Sequence, residues 1–135
     1  MDDLLNKLIY PVQTLYSKKP SLHESIKAQL YTLGFENNYL SIPEIYVNHT
    51  RKRIDMGWID KANNIKALFE IDYGSPGFNS MNKLKQVNGE RKYIIIIKPS
   101  KRSSFRKKII EAYQNNIKVY CVMWKRFLVP IYKTS

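Results

Sequence analysis

Asp55, Glu70 and Asp72 stand in two segments that otherwise look like core. Residues Arg53–Asp60 alternate polar and apolar, and Ile65–Tyr73 is rich in apolar residues, so both read as β-strands. Lys61-Ala62-Asn63-Asn64 between them has the composition of a four-residue hairpin loop. With Asp60 opposite Ile65, Asp55 falls opposite Glu70. Directly opposed residues share a face, and Asp72, two positions on, shares it too. Like charges across a ladder destabilise it, and crowding raises carboxyl pKa values. The neighbours Ile54, Met56, Ile59, Leu68, Phe69 and Ile71 give the acids no polar setting. A divalent cation that takes oxygen ligands, Mg²⁺ or Mn²⁺, would offset the repulsion. Its chemistry beside a phosphate would be phosphodiester hydrolysis, with an activated water and neutralised charge. Ion pairs with Arg53, Lys66 or Lys98 would also relieve the crowding, without a metal. A slip of one residue in register would turn Asp55 to the other face.

The elements that must position these acids follow from periodicity. A first helix is expected over Asp2–Tyr16, broken or kinked at Pro11. A second opens at Ser21, with Glu24 completing a capping box. Leu22, Ile26, Leu30 and Leu33 form its stripe, and Gly34 should end it. Tyr39–Val47 reads as an edge strand because of Pro43. After the hairpin come a Gly74–Gly77 turn and a short helix over Ser80–Asn88. Lys92–Lys98, apolar on both faces, reads as a central strand. Ser103 or Ser104 should cap a helix that reaches Asn115, followed by strands Ile117–Trp124 and Leu128–Tyr132. The expected fold class is α/β: a mixed central sheet with an antiparallel three-stranded meander, flanked by helices. Residues 1–135 form one domain, with 1–20 as an N-terminal helical extension.

Charge points to the partner. Twenty-three Lys and Arg face eleven Asp and Glu, for a net charge of +12. Residues 1–50 carry four basic and five acidic side chains, 51–100 ten and five, and 101–135 nine and one. Such an uneven excess suits a polyanion. Lys101, Arg102, Arg106, Lys107 and Lys108 cluster at the start of a helix, where phosphate binding is favoured. Arg51, Lys52 and Arg53 precede Asp55 and could grip a strand beside it. Each cluster is equally readable as a solvated face. Of the aromatics, Tyr73 and Phe78 lie nearest the acids and could stack bases.

With these residues in place, the pattern resembles the PD-(D/E)XK nuclease superfamily, the restriction-endonuclease-like fold with its αβββαβ core. Arg53-Ile54-Asp55 matches the first catalytic element, and Glu70-Ile71-Asp72 occupies the acidic-x-Lys position. The resemblance covers residues 21–124. It implies metal ligation by Asp55, Glu70, the Ile71 main-chain carbonyl and Asp72, with a further helix acid, for which Glu24 is the candidate. Glu24 has a competing reading as a purely structural capping residue. The family lysine is replaced here by Asp72. In some members that lysine has moved to the following helix, which makes Lys83 the candidate, with Lys85 beside it as a nucleic-acid contact. The implied activity is Mg²⁺- or Mn²⁺-dependent endonucleolytic cleavage, with DNA favoured over RNA. Homodimerisation is implied as well. A chain without a working lysine would instead be a non-catalytic nucleic-acid-binding module of the same fold.

Other chemistry finds little footing. His23 and His49 are isolated and lack zinc spacing, and no Ser-His or Cys-His pair or phosphate-binding loop is evident. The single cysteine, Cys121, is expected to be a buried, inert thiol. The N-terminus lacks the pattern of a signal peptide, and no apolar run approaches a membrane span. A cytoplasmic protein is therefore expected, in the host cell if viral, with no membrane partner.

Overall fold

The structure, a computed structural model, describes residues 2–8, 21–122 and 128–131. Helix α1 (Leu22–Glu36) buries the expected stripe of Leu22, Ile26, Leu30 and Leu33. Ser21 Oγ accepts from the Glu24 N–H, as a cap should. The helix does not stop at Gly34. A Cβ there would lie 2.1 Å from Ser41 Oγ and 2.6 Å from Trp58 Nε1. Gly34 is therefore the point of closest approach between helix and sheet, and the chain reverses at Asn38, whose φ is 67°.

Strands β1 (Leu40–Tyr46), β2 (Arg53–Ile59), β3 (Ile65–Tyr73), β4 (Arg91–Ile97), β5 (Ile117–Val122) and β6 (Leu128–Ile131) form one sheet in the order of the sequence. The first three make an antiparallel meander, β3, β4 and β5 run parallel, and β6 returns antiparallel. Pro43 lies on edge strand β1, where a missing N–H costs least. Helices α2 (Phe78–Gln86) and α3 (Ser104–Gln114) complete the mixed α/β architecture.

Two layers of core enclose the sheet. On the α1 side lie Trp58, Phe69, Tyr93, Ile95 and Ile97, with Leu5 and Leu8 from the N-terminal segment. Tyr39, Trp58, Phe69, Tyr93 and Tyr120 run across it as successive ring contacts. On the other side Leu68, Ile94, Ile96 and Val119 meet Met81 and Leu84 of α2 and Ile109 of α3. Strand β4 is thus buried on both faces, as its run of isoleucines requires.

The hairpin differs from expectation in a way that leaves the site intact. Its loop is Lys61–Asn63, because the Asp60 N–H bonds the Asn64 carbonyl and Asp60 Oδ1 accepts from Ala62 and Asn64. Asn63 takes the left-handed conformation that a three-residue loop needs. A bulge between Trp58 and Ile59 then shifts the ladder back. Met56 faces Phe69 and Gly57 faces Leu68, the register expected from the sequence.

Smaller corrections have local causes. Asp2–Lys7 is a 3₁₀ helix, while residues 9–20, with Pro11 and Tyr16, lie outside the described residues, as do Trp124 and Tyr132. Helix α2 starts two residues early, at Phe78, because Asp72 holds the Gly77 N–H that leads into it. Ser103 occupies the cap position of α3 with helical dihedrals and no side-chain bond. Among the described residues no helix is long and apolar enough to cross a membrane.

Candidate active site

Past the bulge the β2–β3 ladder keeps one register from Trp58 and Ala67 to Met56 and Phe69, while β2 stays paired with β1 out to Arg53. Beyond Met56, carboxylate oxygens stand where backbone carbonyls would accept. Asp55 N–H donates to Glu70 Oε1 at 3.0 Å, and Ile71 N–H donates to Asp55 Oδ2 at 2.8 Å. A paired strand residue turns its N–H and C=O to the same neighbour, so the Ile71 carbonyl faces this gap too.

Glu70 is the centre. It is 2% exposed, and its Oε2 lies 3.0 Å from both Lys83 Nζ and Ser80 Oγ. Lys83 also donates to the Arg53 carbonyl at 2.9 Å, so one ammonium joins α2 to the ends of both acidic strands. Burial, and next the charge of Asp55, push the Glu70 carboxyl up to about 7, although Lys83 and Ser80 act to lower it.

Asp72 sits behind this pair. It accepts from Gly77 N–H at 2.9 Å and lies 2.7 Å from Ser80 Oγ. Burial is again the main cause of its raised carboxyl pKa. Ser80 is buried between the two acids and carries one hydroxyl proton. That one proton serves Glu70 Oε2 or Asp72 Oδ1, or is divided between them.

Asp55 behaves oppositely. Burial pushes its carboxyl up, but a bond to His23, the Ile71 N–H and the charges of His23 and Lys83 outweigh burial and lower it. His23 Nε2 lies 3.3 Å from Asp55 Oδ1, and this contact is the main reason that the imidazole pKa is raised. His23 is thus part of the cluster, not isolated. Helix α1 presents it in its first turn, 32 positions from Asp55 in the chain, and nothing local in the sequence signals the meeting. Ser80 was detectable, since it lies three residues before Lys83 and hence on the same helix face.

The remaining sequence candidates divide. Glu24 turns to His23 Nδ1, at 3.3 Å, and meets Asp55 only through the imidazole. Arg53 and Lys66 do not pair with these acids; Glu70 pairs instead with Lys83, and Asp55 with His23. Lys66 bonds Glu90 at 2.7 Å, and the Arg53 guanidinium lies 4.8 Å from the centre of the Tyr46 ring. Arg51, Lys52, Arg53 and Lys85 are exposed, as are Lys98, Lys101, Arg102, Arg106 and Lys107. Lys108 is half-buried, with Nζ 3.4 Å from Ser75 Oγ. The Ser100 N–H bonds the Gly74 carbonyl at 2.7 Å, so the basic segment before α3 is stitched to the turn after Asp72. Cys121 is buried, and burial pushes its thiol up to about 12, which makes it inert as expected.

Among the described residues no group of three or more His, Cys, Asp or Glu side chains lies close enough to hold a metal ion. Asp72 is separated from the other acids by Ser80, and Glu24 by His23. The donors left that could contribute to a hard-cation site are Asp55, Glu70 and the Ile71 carbonyl, and each carboxylate oxygen of the two acids already has a partner: His23 and the Ile71 N–H for Asp55, the Asp55 N–H and Lys83 with Ser80 for Glu70. Mg²⁺ is commonly bound by one or two carboxylates, with waters and substrate phosphate completing its octahedron. No protein-family model matches this sequence, and no curated protein matches it either.

Proposed function

We propose that this protein is a metal-dependent nuclease that hydrolyses phosphodiester bonds within DNA, a PD-(D/E)XK type with its lysine displaced onto α2. The observation that carries the reading is Lys83 Nζ, 3.0 Å from a buried Glu70 that itself accepts the Asp55 N–H. A lone structural ion pair has no need of a second acid pressed against it, and the crowding has a cost in stability.

In this reading Asp55 and Glu70, with the Ile71 carbonyl, would hold Mg²⁺ or Mn²⁺. When bound, the cation supplies an acidified water and neutralises phosphate charge. Lys83 places a positive charge where the phosphorane would form. Ser80 and Asp72 fix Glu70 and the first turn of α2. His23 holds Asp55 in one rotamer. The exposed bases of residues 51–53 and 101–107, with Lys85 and Lys108, supply the salt-sensitive attraction for the phosphate backbone. A homodimer acting in the cytoplasm belongs to the same proposal.

One observation favours a second reading, a nucleic-acid-binding module without catalysis: Asp72 is fully engaged by Gly77 and Ser80, and Asp55 by His23. Labelled duplex, single-stranded and branched DNA, incubated with Mg²⁺ or Mn²⁺, separate the two. Metal-dependent cutting by the wild type that Glu70→Ala abolishes is the expected result. A salt-sensitive gel shift in both proteins with no cutting by either would leave only the binding module.

A further inference from the structure

The turn between β3 and α2 carries two aromatic rings that the core does not use. Phe78 is 73% exposed, the highest exposure of any large apolar side chain among the described residues, and Tyr73 is 52% exposed. They bracket Asp72: Tyr73 follows it directly, and Phe78 follows Gly77, whose N–H Asp72 holds. Both rings thus leave the backbone next to residues that build the acidic site, Tyr73 toward the start of α1 and Phe78 at the start of α2.

Their support is rigid. Gly74 N–H bonds the Ile97 carbonyl at 2.9 Å, Ser75 N–H bonds the Tyr73 carbonyl, and Ser100 N–H bonds the Gly74 carbonyl. Tyr73 Oη accepts from the His23 N–H at 3.2 Å, which ties the ring to the start of α1. A flexible loop could fold an exposed phenyl ring away from water, but one pinned by this many backbone bonds holds it out. The same bonds join this turn to the segment that carries the exposed cations Lys98, Lys101 and Arg102. Aromatic faces on a fixed ledge with a cationic border suit a segment that offers flat bases and phosphates together.

We propose that Tyr73 and Phe78 form a stacking platform for unpaired bases, so that the chain prefers single-stranded or branched nucleic acid to continuous duplex. The bases of a duplex already stack on one another, and its backbone stands between them and a surface ring. Only a splayed or single-stranded nucleotide can lay its base on Phe78 while its phosphate reaches the acids. The substrate preference rests on the nuclease reading, whereas the stacking is testable with cleavage switched off.

The test uses the full chain in EDTA with an oligonucleotide carrying 2-aminopurine, presented single-stranded or annealed to its complement. Binding of the single strand should quench the fluorophore. Phe78→Ala should weaken single-strand binding roughly tenfold and duplex binding by less than about twofold, and Phe78→Trp should restore the loss. Phe78 is exposed, so neither variant should disturb folding, which circular dichroism verifies. Equal losses on both forms, or no loss on either, would overturn the platform. If the platform responds as expected and no form of DNA is cut, the nuclease reading fails and the platform stands. If cutting is intact and Phe78→Ala has no effect, the reverse holds.

Discussion

Replacing Glu70 by Gln removes a charge that the fold holds at a cost, and the structure sets the size and sign of the result. The folded carboxyl titrates at about 7 against an ordinary value of 4.5. Between those two values the folded state keeps a proton that the unfolded chain has released, so stability falls as pH rises through the window. Above it, ionising Glu70 inside the protein costs about 3 kcal/mol more than in the open chain. A Gln side chain keeps the shape, and its oxygen can still accept the Asp55 N–H. Its amide nitrogen then puts a donor where Lys83 and Ser80 had an acceptor, while the ammonium keeps the Arg53 carbonyl, a loss of about 1 kcal/mol. Glu70→Gln should therefore be more stable than the wild type by about 2 kcal/mol near pH 8, a Tm higher by roughly 6 °C. Near pH 4.5 the advantage should vanish or reverse slightly. Thermal or urea unfolding of both proteins across this range measures the difference, from which groups common to both largely cancel. The reasoning fails if Glu70→Gln is destabilised near pH 8 by as much as at acid pH. Divalent cation should raise the Tm of the wild type at alkaline pH and leave that of the variant nearly unmoved.

Other perturbations separate the roles of the parts. Lys83→Met should reduce cleavage by at least about a hundredfold, the scale of a lost electrostatic contact to a transition state, while duplex affinity changes little. Activity within tenfold of the wild type would remove Lys83 from the chemistry. Gly34→Ala should destabilise the protein by about 2 kcal/mol, because its methyl would meet Ser41 and Trp58 in a filled core; an unchanged unfolding midpoint would refute that close packing. The double variant Lys101→Ala, Arg102→Ala should weaken duplex binding and lower the slope of log affinity against log salt by about 2. An unchanged slope would take this segment off the nucleic-acid surface.

The fold was largely legible because its signals are redundant. Four isoleucines in a row leave β4 no exposed face, Pro43 restricts β1 to an edge, and Ser21 and the stripe from Leu22 define α1. Gly34 misled because a glycine that ends a helix and one that lets a helix touch a sheet look alike in sequence, and only Trp58 and Ser41 decide between them. The hairpin was right for a partly wrong reason. A loop one residue shorter than expected and a bulge at Trp58–Ile59 compensate, so the register at Met56 and Phe69 is the expected one. Of the candidate site, alternation put the three acids on one face, and the resemblance drew attention to Lys83, which contacts Glu70. His23 did not, since its contact with Asp55 depends on how α1 crosses the sheet, a quantity that no local pattern encodes.

Asp72 bears most directly on whether the departure from the resembled motif is a loss. A lysine at this position would project from β3 into the space that Ser80 and Gly77 now fill. With Asp there, the carboxylate takes the Gly77 N–H and sits against Ser80, and so anchors the first turn of α2. That turn fixes the direction in which α2 leaves the sheet. One helical turn beyond Ser80, the same face delivers Lys83 to Glu70 at 3.0 Å. Asp72, standing where the resembled motif has a lysine, thus anchors the helix that carries Lys83 to Glu70. The arrangement has a cost, since the buried Glu70 and Asp72 on either side of one serine are both harder to ionise. Under the nuclease proposal that cost is accounted for if the strand acid and the helix lysine act as one unit, in which Asp72 contributes position and Lys83 contributes charge.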